Sequence, residues 1–562
     1  MIEVLISFIY ITVFCLCIGA GISKLFGRIY SMPEANVTRL VINGVITLTV
    51  LVGWISIFTN IGAGVHVCLL LTAIGCAVYS RQEIRSLIRA NDLKWPEYIC
   101  ALIIVLIISY ACSRGSFHTD TGIYHAAAIR VYEEYGVVKG LANIQQHYGY
   151  NSSYLGFAAL FTMSGVLPSA LHTTTGFLMS VLALDALYYL RNIKQHRSHY
   201  TDAVRIITLF YIFINYTGTI SPATDYGTML MTCYFLNEWA LASETARIEE
   251  SRDHLGILAV YGLFLTTMKL SAAMCVIVVI LPVIYMVRLR EAGKILAFTG
   301  TGLLSFAFYP IRNIILSGWL LYPYGSIDLF NVEWKVPKEY LLTDAAQIKV
   351  WGRCLFDVDR INDPVKVWLP VWWEAQEHYY QMLIYACILS FIIILLTVLI
   401  KKKIDPGIGI MYMMILANIA VWFFSAPFVR YGLVFLMALP AMAAAGIIDR
   451  IRYRDGMIRY VGGVLVLLVC VCFCALTDHY LMDNLVFIKH EIKSPYYIQQ
   501  KPFDNGEMNA AYPGGGSVAV YYTVNDNEIN SYYTPPSSCY YHMLERSEPM
   551  GDDVRDGFRS RQ

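Results

Sequence analysis

The sequence predicts an all-α polytopic membrane protein, a helical bundle of about fourteen transmembrane segments with outer-face loops and a small β-containing C-terminal tail. Three observations predict it. Hydrophobic residues make up 57% and charged residues 15% of the 562, whereas a soluble domain carries about 25% charged residues. Apolar runs approaching the roughly 20 residues that cross a bilayer recur along the chain. Between them lie clusters of Lys and Arg of the kind that mark cytoplasmic loops. The net charge of +1 leaves no basic field for nucleic acid.

In chain order the runs fall at 2–22, 40–58, 62–80, 98–113, 170–190, 203–220, 226–242, 255–269, 271–287, 295–311, 381–400, 407–425, 431–448 and 458–476. The first lacks a basic head and a small-residue cleavage site, so it reads as a retained helix. The basic clusters are Lys24/Arg28, Arg81/Arg85/Arg89/Lys94, Arg191/Lys194/Arg197, Arg288/Arg290/Lys294, Lys401/Lys402/Lys403 and Arg450/Arg452/Arg454. All of them fall on one side if Tyr154–Leu167 is a short or re-entrant piece ending at Pro168 and not a span. Both termini are then outside. The transmembrane module is 1–476, with outer loops 114–153 and 312–380, and the tail is 477–562.

Most of the fourteen cysteines sit inside apolar runs, where a thiol acts as a small hydrophobe. Cys354 and Cys539 lie away from any run and could pair if both are outside; nothing in the sequence requires it. The density of Trp319, Trp334, Trp351, Trp368, Trp372 and Trp373 in the second outer loop suggests an interfacial belt, with stacking on sugar rings as the alternative. In the tail, Pro513-Gly514-Gly515-Gly516 leads into a β-prone stretch, Ser517–Val524, and a turn at Asn525-Asp526-Asn527. The end past Glu548 reads as disordered.

The first outer loop carries the densest chemistry. His118, Asp120, Tyr124 and His125 precede a helical pattern in which Tyr124, Ala127, Ala128, Val131 and Tyr135 form one apolar face, as in a helix lying along a membrane surface. Asp120 is either an N-cap or a general base that removes a proton from an attacking hydroxyl. His118 and His125 would tune or orient it, or hold a divalent metal with it. Asp225 follows the Ser221-Pro222 break and is a turn residue or a second acidic group facing the same cavity. Lys269 interrupts an apolar stretch, where an ionisable group normally faces a cavity or a partner. Arg312 and Arg430 stand at outer helix ends, and guanidinium forks suit phosphate oxygens. No GxxxxGK[ST] phosphate loop is present, which argues against an ATP-driven pump.

These pieces resemble the GT-C superfamily of membrane glycosyltransferases, and more narrowly the multispanning proteins of bacterial surface-polysaccharide synthesis. The matching residues are His118, Asp120, Tyr124, His125 and Arg130, then Glu134-Tyr135-Gly136, Gly140-Leu141-Ala142-Asn143 and Tyr150-Asn151-Ser152-Ser153. They continue with Ser221-Pro222 and Asp225, Lys269-Leu270-Ser271, Arg312-Asn313, Ser317-Gly318, Tyr322-Pro323 and Arg430-Tyr431. The resemblance implies an inner-membrane enzyme with an extracytoplasmic active face, a polyprenyl-phosphate-linked sugar as donor, a glycan, lipid or protein acceptor, and inversion at the anomeric carbon. Asp120 takes the place of the family's acidic first-loop residue. On this reading Asp120, His118 and His125 are catalytic, and Asp225, Lys269, Arg312, Arg430 and Tyr124 bind substrate. The alternatives are a polysaccharide polymerase or ligase, and a transporter or flippase of lipid-linked sugars.

Overall fold

The computed structural model describes residues 1–196, 199–245, 248–401, 404–450, 456–492, 498–503, 508–523 and 532–561. Arg197, Lys402, Lys403, Arg452, Arg454 and the expected turn at Asn525-Asp526-Asn527 lie outside the described residues. The chain is mostly helical. The bundle begins with α1 (Ile2–Phe26), α2 (Val37–Phe58), α3 (Ala63–Tyr79), the short α4 (Arg81–Arg89) and α5 (Trp95–Arg114). Helices α1 and α2 cross through glycine, because a Cβ on Gly19 would lie 1.8 Å from the Leu40 carbonyl oxygen and one on Gly44 1.9 Å from that of Cys15. A π-helical turn, Thr121–His125, then leads into α6 (Ala126–Glu134), and α7 (Ser153–Ala159) follows.

The second stretch holds α8 (Thr174–Leu190), α9 (Tyr200–Ile214), α10 (Thr224–Thr245), α11 (Ile248–Met268), a 3-10 segment Leu270–Val279 continuing into α12 (Ile280–Arg288), α13 (Ala292–Phe306) and α14 (Phe308–Ser317). Outer helices α15 (Lys338–Gly352) and α16 (Val365–Glu374) precede α17 (His378–Lys401), α18 (Pro406–Ser425), α19 (Val429–Arg450) and the long α20 (Gly456–Ile492).

Among the described residues nine helical stretches are long and apolar enough to cross a membrane, or ten if the bent pair α3 and α4 counts as one. The other four apolar runs are helical too, but α8 and α9 are short and α10 and α11 are more polar. The polarity has a physical reason. Helix α10 is enclosed by protein, with Thr228, Thr232, Asn237 and Glu238 all buried, so it need not be apolar to avoid lipid. Its Glu238 is neutralised by Arg39 of α2 at 2.7 Å.

Contacts sort the chain into two ends. At one, the Met1 amine donates to Ile498 O, Lys501 N–H to Ser113 O, and the Asn60 amide to Glu133 O. At the other lie Lys24 with Glu83, Lys294 with Asp253, and His199 N–H on Asp449.

Tyr154–Leu167 does not span: α7 is seven residues long and buried, and a turn with a bridge between Ser164 and Leu167 follows it. Helix α6 departs from expectation. It offers no open apolar face to lay on lipid, because Ala126–Ile129, Val131, Tyr132 and Glu133 are all buried within the protein. Helix α7 covers one side, and the tail covers the other through Tyr532, whose hydroxyl donates to Glu133 Oε2 at 2.6 Å. The Trp belt is also corrected, since Trp319, Trp368 and Trp372 are core residues at 1–2% exposure, while Trp351 is exposed. Cys354 and Cys539 are free thiols.

The tail is a small β unit. Strand β1 (Met508–Ala511) pairs antiparallel with β2 (Val520–Thr523), which pairs parallel with β3 (Ser537–Ser538). After the short α21 (Tyr541–Glu545), β4 (Ser547–Pro549) pairs with β5 (Phe558–Ser560). The end past Glu548 is therefore ordered. Phe558 is fully buried, and its N–H donates to Lys139 O. Gly140, at φ +61°, admits this contact, for a Cβ there would lie 1.9 Å from Phe558 O.

Tyr532→Phe strips one donor from the buried Glu133, which should cost about 1–3 kcal/mol. Hydrogen exchange over residues 508–561 is expected to quicken in that variant while the membrane helices stay protected.

Candidate functional site

Four helix ends converge at the Met1 end of the bundle. Asp120 immediately precedes the π-helical turn, Asp225 sits in the first turn of α10, Lys269 fills the joint between α11 and the 3-10 segment, and Arg430 is the second residue of α19. The π turn is the kind of local irregularity that often marks function. Asp120 makes no side-chain cap, so the capping role is set aside.

The charges interlock. Lys269 Nζ pairs with Asp225 Oδ1. Arg430 Nη2 donates to Asp120 Oδ2 at 3.2 Å, and its Nε stands 3.6 Å from Asp225 Oδ2. Arg430 Nη1 lies 2.8 Å from His118 Nε2. Arginine can only donate, so Nε2 accepts, while the Asp120 backbone N–H donates to Nδ1 at 3.1 Å, which ties the ring to Asp120 from the other side. His118 N–H is held by Ser221 Oγ at 2.6 Å. Burial pushes the His118 pKa down, and the nearby Arg430 and Lys269 charges add to that against Asp120 and Asp225. The ring is thus neutral. Two carboxylates face two cations, and the site is electrically balanced.

Exposure separates the two acids. The Asp225 side chain is 3% exposed and committed to its cations, whereas that of Asp120 is 23% exposed beside a 40% exposed Arg430. Tyr431, which sequence reasoning named only within a motif, completes the mouth: Lys269 Nζ stands 4.0 Å from its ring centroid, and its hydroxyl takes Arg430 Nη2 at 3.3 Å.

Other expected residues are placed differently. His125 is 1% exposed and lies against Thr121 Oγ1 and Thr224 Oγ1 at 3.4 and 3.5 Å. Burial takes its pKa well below the ordinary value, so it is a neutral core histidine supporting the site from behind. Tyr124 is also buried, stacked on His147 at 5.1 Å, and burial and then the Asp120 and Asp225 charges raise its pKa. Arg312 leaves the set altogether. It is buried and donates to Asn151 Oδ1 at 3.0 Å and to Ser56 Oγ, forming no ion pair with Asp120 or Asp225. Charge and helix-end position do not distinguish it from Arg430; only the fold does. His147 carried no signal in the sequence.

One ligand atom each from His118, Asp120 and Asp225 lie within 4.8 Å of one another, a spacing that could close on a metal ion. The charges do not fit a resident divalent cation, because Lys269 and Arg430 already occupy those acceptors. The arrangement suits an anion that approaches the cations from the exposed side while Asp120 keeps an accessible carboxylate.

With the geometry in place, comparison with known proteins adds one fact. A family model described as a domain of unknown function, DUF8201, matches residues 1–437. The chain belongs to that family. No curated protein and no solved structure matches it. The matched region contains every residue of the charged network, while the later part of α19, all of α20 and the tail lie beyond it.

Above Tyr124 the tail and second outer loop close a polar aromatic layer. Tyr150 donates to Asp344 Oδ1 at 2.9 Å, and Tyr322 faces the same carboxyl. Burial raises the Asp344 pKa from 3.8 to about 6 against the pull of those hydroxyls. A raised pKa contributes stability that is full below pH 3.8 and lost as pH rises through 6. The two-unit shift corresponds to about 3 kcal/mol. Asp344→Asn is expected to flatten this part of a melting temperature against pH curve, with the variant gaining on the wild type above pH 6.

Proposed function

We propose that the protein is a membrane glycosyltransferase of GT-C type. It moves a sugar from a polyprenyl-phosphate donor to a glycan, lipid or protein acceptor on the extracytoplasmic face, with inversion and with Asp120 as general base. The observation that carries this reading is the pairing of an accessible carboxylate, Asp120, with two cations, Arg430 and Lys269, at one end of a helical bundle. Fourteen crossings with the network outside belong to this reading; α1, which leads from the Met1 contact to Lys24, and α2, which returns to Asn60, support it.

In the reaction, the acceptor hydroxyl gives its proton to Asp120 as its oxygen attacks the anomeric carbon. The bond from that carbon to the phosphate oxygen breaks, and polyprenyl phosphate leaves with the electron pair. Arg430 and Lys269 stabilise the charge that grows on the phosphate. Asp225 holds Lys269 in place, and neutral His118 orients Arg430 and Asp120.

The test uses membranes supplied with polyprenyl-phosphate sugars. Asp120→Asn should lower transfer by about 10²–10⁴-fold with donor binding and expression retained; transfer at the wild-type rate overturns the base assignment. Arg430→Ala should weaken donor binding at least tenfold, read by competition with an unlabelled lipid phosphate, and equal binding counts against the phosphate role.

A further inference from the structure

Arg312 sits in an unusual electrostatic position. Its side chain is fully enclosed, at 2% exposure for the residue. Two other buried arginines carry a carboxylate, Arg39 with Glu238 and Arg205 with Asp185, while Arg353, less enclosed at 6% exposure, rests on the Ile361 carbonyl and the Trp368 ring. Arg312 has only neutral acceptors, Asn151 Oδ1 and Ser56 Oγ, and the face of Tyr132 with its centroid at 4.2 Å. Among the described residues no carboxylate pairs with it. A buried charge without a counter-charge is costly, and neither hydrogen bonds to amides nor a ring face supplies the missing negative charge.

A cavity of about 20 Å³ lies against it; its polar wall is Arg312, His147, Asn151 and Ser152 with tyrosine rings, and the rest of the lining is aliphatic, from Ala128, Val131, Leu141, Leu155 and Leu316. Its size admits one small ion or one water. A second, independent observation points into the same space. His147 Nδ1 is buried and has no hydrogen-bond partner among the described residues. Its ring is held on both sides by Tyr124 at 5.1 Å and Tyr540 at 5.8 Å. As the N–H tautomer it supplies a neutral donor beside a cation, which is what a small anion needs and what a cation would be repelled by.

We propose that this cavity binds one small monovalent anion against Arg312, either a halide ion or a carboxylate no larger than formate. The anion completes the charge balance of Arg312 as Asp225 completes that of Lys269. The site is distinct from the Lys269 and Arg430 pair and does not depend on the transferase reading.

The test is the melting temperature of the purified full-length protein in nanodiscs, at constant ionic strength in sodium methanesulfonate, with sodium chloride, bromide or formate titrated in. Binding to the folded state alone should raise the melting temperature by about 3 °C across a hundredfold range of concentration. A rise with chloride and bromide assigns the cavity to a free halide, and a rise with formate alone assigns it to a carboxylate group. Arg312→Gln should remove the response. Because that variant also breaks the Asn151 and Ser56 bonds and could fail to fold, His147→Phe is the companion: it keeps a ring between Tyr124 and Tyr540 while deleting Nδ1, and should weaken the response about tenfold. No response to any of the three salts, or an undiminished response in His147→Phe, overturns the proposal.

Discussion

Charge compensation away from bulk water is the constraint on which the rest of the structure depends. Asp120, Asp225, Lys269 and Arg430 come from four separate parts of the chain and balance only when those parts meet. Removing any one leaves an unpaired charge in a setting where its desolvation is not repaid. The same rule operates at the opposite end, where Glu238 answers Arg39 and Asp253 answers Lys294. Central helix α10 carries an acid for each end, Asp225 and Glu238, and so ties the two balances to one rigid element.

The site uses helix ends because these are where a bundle can offer polar groups without exposing backbone to lipid. Lys269 lies at a joint where α11 gives way to a tighter 3-10 segment, and Arg430 opens α19 directly after the Ala426–Phe428 link. The first outer loop is pressed onto them by the tail, through Tyr532 on Glu133, Ser538 Oγ on Ile144 O and Cys539 N–H on Gln145. The tail therefore helps to hold Asp120 in place although it adds no charge to the network.

Much of this was legible beforehand. Apolar runs marked the nine long apolar helices, and isolated ionisable residues in the links between runs marked Asp120, Asp225, Lys269 and Arg430, because a charge in so apolar a context needs a partner. Arg312 has the same sequence signature, and only the fold shows that Asn151 and Ser56 take it elsewhere. The 3.6-residue pattern in α6 was real, but a pattern cannot say what covers its polar side; there Tyr532, some four hundred residues later, lies on Glu133. The ordered end of the tail escaped for a related reason, since Phe558 is the lone apolar anchor in a polar stretch and its socket at Lys139–Gly140 is remote in sequence.

The enclosed, polar character of α10 bears on biogenesis. A segment carrying Asp225 at its start and Asn237 and Glu238 within it partitions poorly into lipid by itself, since an acid near a helix centre such as Glu238 costs about 2.5–3.5 kcal/mol. Its acids find their cations only when α2, bearing Arg39, and the joint after α11, bearing Lys269, are both in place, so α2, α10 and α11 assemble as one cooperative unit and not one helix at a time.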